Sequence, residues 1–158
     1  MHLALNHKDP TLTVVYELSN ELRDNPEHVQ IVQALSLNND KPFLGLKPVN
    51  GLFGSNEWWE SIKSGHIKTV HVTGTIRDLV FAGQDSRWGD SVNSFNLQQD
   101  DGTVVLESIY AHEKHDRKLF RVGAKVSCWY ALLELKSQPA PDGGVNYART
   151  LLEMAVPA

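Results

Sequence analysis

Two stretches of this chain carry residue types that could do chemistry. His112-Glu113-Lys114-His115 is an H-E-x-H run, with Asp116 directly after it. Zinc hydrolases of the H-E-x-x-H kind set two histidines four apart on one helical face, with the glutamate between them as base. Here the spacing is three and no third ligand is marked by position. The run is expected to be a solvated charged turn, and neither a metal nor another cofactor is expected. The second stretch is Arg87-Trp88, a cation beside a large flat ring between Gly83 and Gly89, with Phe81 at its entrance. Such rings can stack on nucleobases, and such cations can meet phosphates.

The remaining chemical candidates are weaker. Cys128 alternates with Val126 and has no histidine beside it in sequence. It reads as a buried, inert thiol. Nothing matches a nucleophile elbow, a phosphate-cradling loop or a dinucleotide fingerprint, and Gly51-Leu52-Phe53-Gly54 is too sparse for any of them. No enzyme is expected. Trp58-Trp59 could anchor a partner, because tryptophan is enriched at binding hot spots. The blander reading, that one ring plugs the open end of the strand-rich domain that follows and the other packs on helices of the N-terminal third, is preferred.

The elements that must position these residues follow from pattern. Asp9-Pro10 caps a helix in which Leu12, Val15, Ser19 and Leu22 recur at steps of three and four, although Thr11 to Tyr16 would also suit a strand. Asn25-Pro26-Glu27 starts a second helix carrying Val29, Val32 and Leu35. Residues 35–54 are broken by Pro42, Gly45, Pro48 and Asn50-Gly51 and read as irregular chain. Ser55 caps a short helix over 56–63, with Gly65 just beyond it. Period-two alternation then takes over. It predicts strands at Val70–Ile76, around Phe95-Asn96-Leu97, over 103–110, from Val122 through Cys128, and over 146–156. Asp100-Asp101-Gly102 is a hairpin turn.

Composition narrows the function classes. Of 158 residues, 41% are hydrophobic and 22% charged, which excludes a disordered tail or a fibrous repeat. Fifteen Lys+Arg stand against nineteen Asp+Glu, a net charge of −4. Residues 55–136 hold ten of the basic and eleven of the acidic residues, so this part is not basic either. Strong polyanion binding is therefore not expected. The lone cysteine and the absence of a signal-like or membrane-spanning apolar run suggest a cytoplasmic protein that does not engage membranes.

Residues 67–156 resemble the OB-fold, the five-stranded Greek-key barrel of oligonucleotide- and oligosaccharide-binding proteins. The resembling stretches are Val70-His71-Val72-Thr73-Gly74-Thr75-Ile76, Phe95-Asn96-Leu97 with Asp100-Asp101-Gly102-Thr103, and Leu119-Phe120-Arg121-Val122-Gly123-Ala124-Lys125-Val126. With the helices read above, the chain is expected to be mainly β, α+β: a helical extension and linker over 1–54, then, as the resemblance implies, a closed barrel with a short leading helix over 55–158. The resemblance also implies a ligand face, where Arg77, Phe81, Arg87, Trp88, Tyr110 and Arg121 would hold single-stranded nucleic acid weakly. The alternative function is a protein-interaction adaptor that uses the N-terminal helices or Trp58 and Trp59, with a protein as partner.

Overall fold

The computed structural model describes residues 9–82 and 92–158. Its elements are β1 (Leu12–Glu17), α1 (Leu18–Asp24), α2 (Pro26–Leu37), α3 (Asn56–Ser64), β2 (Thr69–Val80), β3 (Ser94–Gln99), β4 (Val104–Ser108), a 3-10 helix (Lys114–Leu119), β5 (Lys125–Glu134) and β6 (Tyr147–Pro157). The strands form one sheet in the order β1-β6-β5-β2-β3-β4. The pairings β1–β6, β2–β3 and β3–β4 are antiparallel. A mainly β, α+β architecture is therefore present.

The closed five-stranded barrel is not. The first predicted helix begins instead as β1, where the β-branched residues of Leu12–Glu17 pair with β6 from Leu12↔Pro157 to Glu17↔Glu153. Branching at Cβ suits a pleated surface better than a helix, and a partner strand settles the ambiguity. Only from Leu18 does the chain turn helical. β6 has β5 on one side and β1 on the other, so no side remains for the pairing with β4 that would close the sheet. The sheet is open. Val70 lies on β2 as expected but is 36% exposed, whereas β5 begins only at Lys125, leaving Val122 63% exposed in the turn before it.

The chain divides into two interleaved compact units, because β2, β5 and β6 each run through both. One unit comprises Leu18–Val70 and Tyr130–Leu152. Its core gathers Leu18, Leu22, Phe53, Trp58, Trp59, Ile62, Leu133 and Leu152. Ser55 caps α3 by accepting the Trp58 N–H at 3.2 Å, and Gly65 ends it in the left-handed conformation (φ 86°). That cap sets the helix so that Trp58 meets Phe53 (5.0 Å) and stands edge-on to Trp59 (4.8 Å, 78°). At 2% and 7% exposure both indoles are core, so neither is a partner anchor.

The second unit takes β1, residues His71–Trp129 as far as they are described, and Glu153–Ala158. Val72, Ile76, Phe95, Leu97, Val126 and Cys128 are buried in it. Gly74 makes the close approach of β2 to β3 possible. A Cβ there would stand 2.3 Å from the Gln98 carbonyl oxygen. Gly102 closes the β3–β4 hairpin at φ 87°, and Asp101 Oδ1 accepts the Thr103 N–H (3.0 Å) and hydroxyl (2.6 Å) beside it.

Candidate functional site

Of the six residues proposed from sequence as a ligand face, four lie among the described residues. Arg87 and Trp88 lie outside the described residues. Arg77 is exposed on β2, Phe81 is exposed just beyond its end, and Arg121 is exposed in the turn before β5. Tyr110 is 36% exposed and has a structural contact. It packs on Tyr16 of β1 at 5.3 Å, and Tyr16 also stacks on His112 (4.9 Å, 19°). The His112 N–H donates to the Val15 carbonyl, and the Glu17 N–H donates to His112 Nε2, each at 2.9 Å. This cluster fastens β1 to the chain after β4. The two imidazoles of the H-E-x-H run go separate ways, because His115 Nε2 sits 3.2 Å from Asp116.

A serine–histidine pair not foreseen from sequence joins β2 to β5. His71 Nε2 and Ser127 Oγ are 2.6 Å apart, and the imidazole stacks on Trp129 at 4.2 Å and 7°. Burial, and then the nearby Lys125 charge, hold the His71 pKa below its ordinary value, which keeps the ring neutral near pH 7. Ser127 is only 3% exposed. The buried hydroxyl ties two strands. The Asp9 carboxylate is committed elsewhere. It accepts from the Thr11 hydroxyl and N–H and pairs with Lys125 Nζ at 2.9 Å, which together lower its pKa to about 2.

The first unit exposes a group of large apolar side chains in the segment read from sequence as irregular. After α2 the chain runs through Asn38-Asn39-Asp40-Lys41-Pro42-Phe43-Leu44-Gly45. Leu37 is 60% exposed, Phe43 71% and Leu44 56%. This segment is held by a series of hydrogen bonds. Asn38 Oδ1 accepts the Asp40 N–H (3.0 Å), and the Asn38 carbonyl accepts the Lys41 N–H (3.2 Å). Gly45 turns at φ 89° so closely over α2 that a Cβ would come within 2.8 Å of Leu35. Beyond it, the Gly45 carbonyl accepts the Lys136 N–H and the Lys47 N–H donates to the Glu134 carbonyl, each at 2.9 Å.

Lys136 holds the arrangement from beneath. Its Nζ donates to the carbonyls of Leu35 (2.6 Å), Asn38 (3.1 Å) and Lys41 (3.2 Å). The last carbonyls of a helix lack partners within the helix, and a cation at that end is favoured by the helix dipole. Here one ammonium satisfies the end of α2 and the start of the loop together. Phe43 and Leu44 are thereby presented on a preorganised support. The sequence signal was available: two adjacent large apolar residues between Pro42 and Gly45, matching neither a helical nor a strand period.

Exposed apolar side chains on hydrogen-bonded chain are a feature also found at protein–protein contacts. The family comparison agrees. The model of the family described as Immunity protein RhsI2 matches residues 12–157, and the chain belongs to that family. No curated protein matches it. Family membership overturns the nucleic-acid reading. An immunity protein has a protein partner, so the protein-interaction alternative takes its place.

Proposed function

We propose that this chain is an immunity protein that binds its cognate Rhs toxin and blocks it by contact, with no chemistry of its own. The loop over residues 38–47 forms part of the contacting surface. The observation that carries this placement is the exposure of Leu37, Phe43 and Leu44 on chain immobilised by Lys136. Ordering a loop on binding costs free energy, and a loop already ordered avoids that cost. Aromatic side chains held in this way are the usual centres of protein interfaces. The buried lone Cys128 fits a reducing compartment, and we place the encounter with the toxin in the cytoplasm.

The test is co-expression of the chain with its toxin domain in a sensitive host, together with calorimetry on the purified pair. The wild-type chain should restore growth and bind the toxin one to one. Phe43→Asp should fold normally, bind at least tenfold more weakly and lose protection. Growth rescue by a chain that forms no complex with the toxin would overturn the proposal.

A further inference from the structure

The open sheet leaves β4 at one edge, and the register shows which of its groups face away from β3. The Gln99 N–H donates to the Thr103 carbonyl (2.8 Å) at one end of the β3–β4 ladder, and the Ile109 N–H donates to the Asn93 carbonyl (2.9 Å) at the other. Between them the register runs from Gln98↔Val104 to Ser94↔Ser108. Bonded and non-bonded pairs alternate along an antiparallel ladder. Val105 and Glu107 therefore exchange bonds with β3, while Val104, Leu106 and Ser108 turn their N–H and C=O groups away from it. No strand among the described residues pairs with that side, since β4 ends the strand order.

Edge strands are usually protected by lysine, proline, a bulge or a covering element. β4 reads Val-Val-Leu-Glu-Ser, and its single charge, Glu107, is 2% exposed. Val104 and Leu106 are 41% and 52% exposed. At the hairpin end stand Asp100 and Asp101, the latter kept ionised by its bonds from Thr103. A second copy of this chain would bring a like net charge of −4 against the same acidic turn. A partner strand with a basic end meets it favourably.

We propose that β4 is a strand-addition site for the toxin. An extended toxin segment pairs with Val104–Ser108, lays alternate apolar side chains over Val104 and Leu106, and sets a lysine or arginine against Asp100 and Asp101. Main-chain bonds supply affinity in this mode, and the alternating side chains supply specificity. The inference rests on the immunity reading and adds a second, separate contact to it.

Amide exchange resolved by NMR on the labelled full chain, free and with an inactive variant of its toxin domain, tests the site. The Val104, Leu106 and Ser108 amides should slow at least tenfold in the complex, with smaller changes at Val105 and Glu107, which are already bonded. Leu106→Lys, at an exposed position, should leave the fold intact and weaken toxin binding at least tenfold. A complex that forms while those three amides exchange as before, or binds Leu106→Lys as tightly as wild type, overturns the strand-addition site and leaves the immunity reading standing. Failure to form any complex overturns both. A toxin-free dimer that protects the same three amides assigns the edge to a second copy and overturns the toxin assignment.

Discussion

Lys136→Met asks whether the exposed loop is held by one ammonium. The substitution keeps the length and apolar stem of the side chain and removes its donors. A hydrogen bond that involves a charged group contributes about 1.5–3 kcal/mol net. The bonds to Leu35 and Asn38 are partly buried, whereas the one to Lys41 is exposed and water can replace it. The expected cost is therefore that of one such bond with partial compensation of the second, about 2 kcal/mol. For a chain of this size that corresponds to a Tm lowered by roughly 4–8 °C. The amides of residues 38–47 should exchange faster by hydrogen–deuterium mass spectrometry, because their anchor is gone. Toxin affinity should fall as well, since Phe43 and Leu44 must then be ordered on binding at about 0.5–1.5 kcal/mol each. A Tm within about 1 °C of wild type, with exchange over 38–47 unchanged, would refute the clamp.

Phe43→Ser should change stability by less than about 0.5 kcal/mol, because the ring is largely in water, yet cost toxin binding about 2 kcal/mol or more; urea melts and calorimetry separate the two effects. Gly74→Ala should lower stability by more than about 3 kcal/mol or prevent folding, since the new methyl meets the Gln98 carbonyl on the paired strand; the urea midpoint and soluble yield report it. The His71 imidazole should titrate with a midpoint below 6.5 by NMR. Its folded-state pKa is depressed, so its contribution to stability is intact above about pH 6.5 and is lost as pH falls toward the folded value; a midpoint at or above 6.5 would contradict this. Asp9→Asn should flatten the acid limb of stability. That carboxylate titrates near 2 in the fold against an ordinary value of 3.8, so its contribution is present above about pH 4 and lost as pH falls through about 2.

Where a structural signal is local, the sequence determined the outcome. Ser55 and Gly65 delimit α3 because cap and left-handed terminator act within one helical turn. Alternation through Val72, Gly74 and Ile76 sets the buried face of β2, and Asp101-Gly102 makes the β3–β4 turn, because period and turn chemistry need no distant partner. Tertiary structure decided what depended on distant residues. Leu12–Glu17 satisfies a helical and a strand period alike, and pairing with Leu12↔Pro157 and its successors chose the strand. That same choice filled the free side of β6 and left the sheet open. Trp58-Trp59 looked the same in sequence as anchor or as core, and Phe53 made them core. Phe43 and Leu44 are held in a loop of prolines and glycines whose support comes from Lys136, 101 residues beyond the Leu35 carbonyl it binds. A segment's own propensity is weak, and a hydrogen bond to a remote residue that satisfies several carbonyls at once can fix what that propensity leaves open.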